Sequence, residues 1–312
     1  MSRYRGVRDI PDEEYVAPGS ALCAGCAAEI IARHMLKVLG RDTIMVNVPG
    51  CYAISTLFPY TAVKVPFVFG VFGGGAAVAQ GIRDGLDILR EKRGINNERV
   101  NYKVVVYVGD GAAYDIGFQS TSAAIHRGLD FYFVCYDNEA YGNTGFQLSG
   151  ATPYASRTST SEPVGDSIGN EYRKKDIFEI WRAHGAPYVA TISVSHITDM
   201  LNKFEKAKEF RGPKLFVALS ICPTGWGASE EETIRIARLA VETGMWPLKE
   251  AVYGEVRHTF IPRRLRPVEE YLKTQRRFRH LFKPVRREEE IRRIQEAVEE
   301  YWRRVRESEA GG

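Results

Sequence analysis

Apolar and polar positions along the first 220 residues follow two alternating patterns. Residues 103–108 and 131–136 are nearly continuous runs of valine, phenylalanine and tyrosine, which are typical of strands buried on both faces. Residues 21–39 instead repeat apolar side chains every three or four positions up to Gly40, which predicts a helix. Similar patterns predict strands at residues 43–48, 63–69, 188–192 and 214–220, with helices ending near 89 and 126 and spanning 176–184 and 195–210. This alternation predicts an α/β fold built on a doubly wound parallel sheet.

The last quarter of the chain has a different pattern. Predicted strands cease near Met245, and residues 263–306 are dominated by charged helix. One helical face carries apolar side chains at spacings of three and four: Ile291, Ile294, Val298, Tyr301, Trp302 and Val305. Residues 263–312 hold 15 basic and 10 acidic side chains, and their interleaving favours a solvated outer face over a nucleic-acid-binding surface. We therefore expect an α/β domain over residues 1–250 and a helical docking arm over residues 251–312, with the apolar face partly exposed in the isolated chain.

Composition narrows the class of protein. The 312 residues are 44% hydrophobic, which is enough for one large core or two small ones. The net charge of +4 is too balanced to indicate nucleic acid as a partner. Five cysteines form no disulfide framework, and their odd number fits a reducing compartment. Because neither a secretory signal nor a membrane-spanning apolar run is visible, we expect a cytoplasmic protein that does not bind a membrane.

Four of the five cysteines lie in turn-like positions. Cys23 and Cys26 form a CxxC motif, Cys51 follows a Pro-Gly turn, and Cys222 comes much later before a proline. A CxxC motif alone fits a redox pair or half a zinc site, but zinc normally takes a second CxxC or a nearby histidine pair. A set with one distant member suits the four corners of a [4Fe–4S] cluster. Cys135 lies within a predicted strand and is predicted to be a buried structural thiol.

Two polar turns follow consecutive predicted strands. Gly109-Asp110-Gly111 comes directly after one, and Asn138 comes directly after the next. Open parallel sheets bind ligands at the carboxyl ends of their strands, so both turns are expected in one crevice. Mg²⁺ prefers a few protein oxygens together with phosphate oxygens, and glycines allow the backbone to approach a phosphate closely. These turns predict a magnesium–diphosphate site. Residues 139–170, rich in Gly, Thr and Ser, form a loop too long for a simple connection.

These motifs together resemble a known family over nearly the whole chain. They comprise GDGAAYDIG from Gly109, DNEAYGNTGFQ from Asp137, CAGC from Cys23, PGC from Pro49, CPTGW from Cys222 and PVEEYL from Pro267. The set is similar to the thiamine-diphosphate-binding β subunits of 2-oxoacid:ferredoxin oxidoreductases, of the pyruvate:ferredoxin oxidoreductase type or a close relative such as oxalate oxidoreductase. This resemblance implies a thiamine-diphosphate-binding fold for residues 1–250.

The resemblance also implies roles for individual residues. Asp110, Asn138 and the carbonyl of Ala140 would hold Mg²⁺ on the diphosphate, with Gly109 and Gly111 beside the cofactor. Cys23, Cys26, Cys51 and Cys222 would hold a [4Fe–4S] cluster, with Cys51 also next to thiamine diphosphate. Asn143 and Thr144 would lie beside the reactive ring as catalytic residues. The glutamate that activates the aminopyrimidine would come from a partner α subunit.

The activity implied is oxidative decarboxylation of a small 2-oxoacid, with single electrons passing through the cluster to ferredoxin and the acyl group usually passing to coenzyme A. The implied partners are α, γ and δ-type subunits of the same complex. Two positions differ from the pyruvate-type pattern: residues 71–75 read VFGGG where many β subunits carry Phe-Glu-Asn, and Gly142 replaces a frequent methionine. Pyruvate is the first expectation, and oxalate, glyoxylate, branched-chain and aromatic 2-oxoacids remain open.

Two other classes of function fit part of the sequence. A non-catalytic electron-transfer subunit would explain the cysteines but would leave Asp110 and Asn138 without a role. A thiamine-dependent decarboxylase without redox function would explain the diphosphate site but would need no iron. The presence of iron therefore separates the second class from an oxidoreductase.

Overall fold

The computed structural model describes residues 3–59, 61–92 and 102–310. These residues form an eight-stranded sheet in the order β2-β1-β3-β4-β6-β5-β7-β8. The strands are β1 (Thr43–Asn47), β2 (Phe67–Phe69), β3 (Lys103–Gly109), β4 (Phe131–Asp137), β5 (Tyr188–Ser193), β6 (Pro213–Leu219), β7 (Leu248–Val252) and β8 (Glu255–Phe260). Strands β1 to β6 run parallel, whereas β7 and β8 pair antiparallel at one edge.

Helices cover both faces of this sheet. They are α1 (Ala27–Leu39), α2 (Gly75–Lys92), α3 (Phe118–His126), α4 (Ile177–Ala183), α5 (Ile197–Ala207), α6 (Pro223–Trp226), α7 (Thr233–Glu242), α8 (Val268–Leu272) and α9 (Glu288–Ala310). Side chains alternate between faces along a strand. Tyr107 of β3 donates a hydrogen bond of 2.6 Å to the Ala28 carbonyl on α1, whereas the adjacent Val106 packs at the Gly75 end of α2. The predicted doubly wound α/β sheet is therefore confirmed.

The central strands form because their side chains are apolar on both sides. All seven residues of β4 are buried, and β3 is buried from Val104 to Val108. The predicted strands there and at β1, β5 and β6 agree with the structure to within two residues, whereas β2 is limited to three residues at the sheet edge. The segment after Asp110 is a π-helical turn, Gly111–Ile116, before α3 begins.

The prediction that strands cease near Met245 is wrong. Strands β7 and β8 follow that residue and extend the sheet as an antiparallel hairpin. The error has a clear cause, because β8 is an edge strand whose residues are mostly solvent-exposed. Its sequence, EVRHTF, therefore lacks the apolar run that marks the central strands.

The expectation that the apolar face of the tail is partly exposed is also wrong. Ile291, Ile294, Val298, Trp302 and Val305 on α9 are buried within the chain's own core. The Trp302 indole donates a hydrogen bond of 3.0 Å to the Gly244 carbonyl, next to β7. Amphipathic spacing identifies a face that must be covered, but it does not identify what covers it. Within the described ranges, no helix is long and apolar enough to cross a membrane.

Candidate functional site

The two polar turns lie next to each other at the carboxyl ends of β3 and β4. These strands are paired in register, with Gly109 opposite Tyr136, so Asp110 and Asn138 leave the sheet side by side. One end of the Asn138 amide lies 3.0 Å from Asp110 Oδ1 and 2.7 Å from the Ala140 carbonyl oxygen. The other end lies 4.0 Å from Cys51 Sγ. The three residues predicted to hold Mg²⁺ are therefore brought together.

The orientation of the Asn138 amide depends on what lies between these oxygens. With Nδ2 toward Asp110, the amide donates to both oxygens. With Nδ2 toward Cys51, three oxygens from Asp110, Asn138 and Ala140 face one another, and a cation is needed to stabilise them. Adjacent ligands of an octahedral Mg²⁺ with bonds of roughly 2.1 Å are about 3 Å apart. The observed separations therefore fit a magnesium site.

Asp110 is fully buried, which is costly for a carboxylate without a cation. Burial raises the pKa of Asp110 well above its usual value, and the nearby Asp137 carboxylate acts in the same direction. The Ser149 hydroxyl opposes this shift by donating a hydrogen bond of 2.5 Å to Asp110 Oδ2. Ser149 was not singled out from the sequence, since a serine in a Ser- and Thr-rich loop carries no distinguishing signal. A divalent cation bound beside Asp110 would supply the positive charge that balances this buried carboxylate.

Aromatic rings pack closely against the glycines on both sides of Asp110. A Cβ atom at Gly111 would lie 2.3 Å from Tyr141 Cε1, and one at Gly109 would lie 3.2 Å from Tyr136 Cε2. Tyr141 in turn donates a hydrogen bond of 3.2 Å to Asp115 Oδ2. A side chain at Gly111 would push the Tyr141 segment away from Asp110. Gly111 therefore allows the loop that follows β4 to pack against the turn that follows β3, while Gly109 accommodates the Tyr136 ring of β4.

The predicted catalytic pair lies at the tip of that loop. Residues 141–147 form a tight turn in which the Phe146 amide donates a hydrogen bond of 2.9 Å to the Tyr141 carbonyl. Asn143 and Thr144 are exposed at its tip, and the Thr144 hydroxyl donates a hydrogen bond of 2.5 Å to Gln147 Oε1. Asn143 lines the cavity that contains the cysteines. The tip is therefore open to a substrate or a partner.

The four turn cysteines line one cavity of about 620 Å³, although they come from three distant parts of the chain. The cavity also contacts Asn138 and Gly142, in the loop that follows β4. Cys135 lies apart from it, fully buried in β4, as the sequence predicted. Within the described ranges, no three Cys, His, Asp or Glu side chains converge closely enough to hold a single metal ion.

The cavity also supplies hydrogen bonds to sulfur. Cys26 and Cys222 precede α1 and α6, and the Gly225 amide donates to Cys222 Sγ at 3.3 Å. Burial raises the pKa of the Cys26 and Cys51 thiols to about 12. Thiols with such pKa values become thiolates only when a metal or cluster replaces the proton.

The two sites share a wall. The Trp226 indole on α6 donates a hydrogen bond of 2.9 Å to the Asn138 carbonyl, so the helix that follows Cys222 supports the turn that follows β4. A Cβ atom at Gly142 would lie 3.0 Å from Asn138 Nδ2 and 3.2 Å from Cys51 Sγ. A side chain at Gly142 would therefore be in tight contact with both Asn138 and Cys51, so the glycine allows these two side chains to lie close to the loop that follows β4.

A buried charge network supports this wall. Lys174 Nζ lies 2.7 Å from Asp137 Oδ2 and 2.8 Å from Glu139 Oε1, and Arg277 Nη2 lies 2.5 Å from Glu139 Oε2. The two cations keep the pKa of Glu139 low, although burial acts against them. Glu139 has a φ of 66°, an unusual value for a residue with a side chain. The network therefore fixes a strained residue between Asn138 and Ala140.

Sequence reasoning did not identify this network. Lys174 lies in a basic triplet before α4, and Arg277 lies in the charge-rich tail. The sequence around both positions is typical of a solvent-exposed surface, and only the three-dimensional structure shows that they contact Glu139. Glu139 itself was noticed only as part of the DNEAYGN motif.

Comparison with known proteins places this geometry in a family. The model of the thiamine pyrophosphate enzyme C-terminal TPP binding domain matches residues 49–218. The chain is 47% identical over 297 residues to "Pyruvate synthase subunit PorB" of Methanocaldococcus jannaschii, covering 94% of this chain and 97% of the relative. The chain belongs to the β subunits of the 2-oxoacid:ferredoxin oxidoreductase family. Thiamine diphosphate is the cofactor of its matched domain.

Other similarities are broader. The chain is 39% identical over 302 residues to "Ketoisovalerate oxidoreductase subunit VorB" of Pyrococcus horikoshii, covering 95% of this chain and 94% of that relative. A 2-oxoglutarate:ferredoxin oxidoreductase structure from Magnetococcus marinus aligns with a TM-score of 0.54 at 23% identity, covering 67% of each chain. The last comparison supports the fold of the β subunit.

Proposed function

We propose that this β subunit binds Mg²⁺–thiamine diphosphate and a [4Fe–4S] cluster on opposite sides of one wall. In this proposal, a small 2-oxoacid is oxidatively decarboxylated and its electrons leave singly for ferredoxin. The observation that carries the proposal is the shared position of Asn138, whose amide faces Asp110 at one end and Cys51 at the other. Electron transfer needs the two groups close together, and the Asn138 side chain lies next to both sites.

Each residue of the diphosphate side has a role that follows from its position. Asp110, Asn138 and the Ala140 carbonyl would supply three oxygens to Mg²⁺, while Ser149 keeps the Asp110 carboxylate oriented through its hydrogen bond. When bound, thiamine diphosphate supplies the nucleophile that adds to the 2-oxoacid carbonyl and accepts electrons as CO₂ leaves. Asn143 and Thr144, exposed beside this site, would orient the substrate or the developing charge.

On the other side, Cys23, Cys26, Cys51 and Cys222 would hold the cluster. The cavity of about 620 Å³ leaves room for the cluster, and the hydrogen bond that the Gly225 amide donates to Cys222 Sγ would stabilise negative charge on the thiolate. A non-catalytic electron carrier would not require the buried Asp110 and its neighbouring oxygens, so this alternative explains less of the structure.

Pyruvate is the substrate that we propose, because the 47% identical relative is named a pyruvate synthase subunit and the ketoisovalerate relative is 39% identical. The acyl group would then pass to coenzyme A. Branched-chain acids, oxalate, glyoxylate and aromatic 2-oxoacids are the alternatives to be tested in parallel.

We also propose that a partner α subunit covers the sheet edge at which Asp110 and Asn138 lie, with γ and δ-type subunits completing the complex. Both relatives are named as subunits. Exposed apolar side chains, which we call the apolar edge, occur around β2 and the turn after β3: Leu57, Phe58, Val68, Phe69, Val71 and Ile116. A patch of this kind marks an interaction surface. It replaces the face of α9, which is buried, as the expected docking surface.

The test is substrate-dependent reduction of a viologen dye by the purified complex. We expect pyruvate with coenzyme A to give the fastest rate, and we expect Asp110→Ala to abolish it while iron content stays unchanged. Cys135→Ser is the matched control and should retain both iron and activity. Iron-free protein that decarboxylates pyruvate would contradict the redox role, whereas iron-loaded protein without any thiamine diphosphate would leave only an electron carrier.

A further inference from the structure

Arg277 brings a positive charge into the wall of the cysteine cavity. Its side chain is 1% exposed, and its guanidinium carbon lies 3.7 Å from the centre of the Trp226 ring. Trp226 ends the short helix α6, which begins directly after Cys222. The charge is therefore held on the helix that presents one of the four sulfur ligands.

Neighbouring contacts keep Arg277 in this place. The Arg277 carbonyl accepts a hydrogen bond of 3.0 Å from the Arg157 amide. Gly227, at a φ of 63°, leaves room for the adjacent Arg276, because a Cβ atom there would lie 2.7 Å from Arg276 Cβ. The segment Arg276–Leu281 is thus packed against α6, which fixes the backbone from which the Arg277 side chain reaches Trp226 and Glu139.

The guanidinium of Arg277 is only partly satisfied. Its Nε donates to Gln275 Oε1 at 2.8 Å, and its Nη2 donates to Glu139 Oε2. Nη1 is buried and has no partner in the described part of the chain. A buried donor without an acceptor is costly, so Nη1 needs an acceptor that the described residues do not supply, and Arg277 lines the cavity of the four cysteines.

The Arg277–Glu139 ion pair is also oriented. Arg277 lines the cysteine cavity but not a second cavity of about 400 Å³, whereas Glu139 lines the second cavity but not the first. Glu139 is in addition neutralised by Lys174. The positive end of the pair therefore faces the sulfur ligands and the negative end faces away.

We propose that Arg277 is a positioning residue that raises the reduction potential of the [4Fe–4S] cluster, an inference that rests on the proposed function of the four cysteines. Reduction adds one electron and makes the cluster more negative, so a fixed positive charge and a spare N–H donor stabilise the reduced state more than the oxidised state. Burial reduces screening by water, which strengthens the effect.

The alternative is that Arg277 only supports Glu139. In that case its replacement would loosen the turn that follows β4 and weaken thiamine diphosphate binding, but it would not change the reduction potential of a cluster that remains bound. The two roles are therefore separated by a redox titration of the assembled complex, followed by the EPR signal of the reduced cluster.

The main variant is Arg277→Gln, with Arg279→Gln as the matched control, because Arg279 lies in the same segment but is exposed and does not line the cavity. In Arg277→Gln we expect the ratio of reduced to oxidised cluster at a fixed potential to fall about tenfold, which corresponds to a midpoint about 59 mV lower for one electron. Arg277→Lys keeps the charge without the planar donor fork and should give a smaller fall in the midpoint. Arg279→Gln should match the wild type.

Iron and sulfide analysis accompanies each titration. A wild-type complex without a four-iron cluster would refute the proposed function and is recognised before any titration. An unchanged midpoint in iron-loaded Arg277→Gln would overturn the role of Arg277 while leaving the proposed function intact. If the glutamine variant does not retain iron, the lysine variant decides, and an unchanged midpoint there overturns the proposal.

Discussion

Replacing Lys174 tests whether the buried charge network holds the site together. Lys174→Met would leave Asp137 and Glu139 facing each other without the ammonium that now lies 2.7 Å and 2.8 Å from them. Removing one partner of a buried ion pair costs roughly 3–5 kcal/mol, because the remaining charge is uncompensated. The Lys174 side chain is 23% exposed and Glu139 keeps Arg277, so we expect about 2–3 kcal/mol in the free energy of unfolding.

The assay is urea denaturation of the chain, with the shift of the midpoint compared at constant slope. Lys273→Met is the matched control, because Lys273 also pairs with a carboxylate, Glu269, but is 55% exposed. Its loss should cost less than about 1 kcal/mol. Adding Asp137→Asn to Lys174→Met should restore part of the lost stability, since it neutralises one of the unpaired carboxylates. Equal midpoint shifts for Lys174→Met and Lys273→Met would refute the network's role.

Three further predictions concern other parts of the chain. Trp302→Ala should lower the free energy of unfolding by roughly 3–5 kcal/mol, because this buried indole is part of the core, whereas the exposed Arg292→Ala should have little effect in the same denaturation assay. Burial lowers the pKa of His258 from 6.5 to about 4 in the folded chain, so the unfolded chain takes up a proton at a higher pH than the folded chain. The contribution of neutral His258 to the free energy of unfolding is therefore fully present above pH 6.5 and is lost as the pH falls toward 4. Between pH 7 and pH 5, His258→Gln should therefore lose about 1 kcal/mol less free energy of unfolding than the wild type, allowing for partial exposure of the ring. The same pH dependence in both proteins would contradict this. Val71→Asp at the apolar edge should weaken assembly with the partner in sedimentation experiments without changing the chain's stability, whereas Val7→Asp, equally exposed, should leave assembly intact.

The sequence predicted the central sheet well because its strands are continuous apolar runs. Buried parallel strands such as β3 and β4 leave little ambiguity, and the turn that follows each one must lie at the same sheet edge. Asp110 and Asn138 could therefore be placed together from the sequence. The four cysteines were selected by their turn positions and by the contrast with Cys135, which lies within a strand.

The tail was harder to interpret for a physical reason. The spacing of Ile294, Val298 and Trp302 defines an apolar face in the sequence, but a partner or the chain's own core would satisfy it equally well. The structure buries it in the core. Arg277 could not be identified for the same reason, because the sequence of a charge-rich segment does not distinguish a buried arginine from a solvent-exposed one. Truncation before Arg263 should therefore disturb the cysteine cavity, because it removes Arg276 and Arg277 from the cavity wall.

The most direct test of the account is whether substrate electrons reach the cluster through the diphosphate site of this chain. The measurement is the EPR signal of the reduced cluster after pyruvate and coenzyme A are added to the oxygen-free complex. We predict that the wild type gives the signal and that Asp110→Ala does not, although dithionite still reduces the cluster in both. A signal of equal size in Asp110→Ala, or no pyruvate-dependent signal in a wild-type complex that contains both cofactors, would contradict the account.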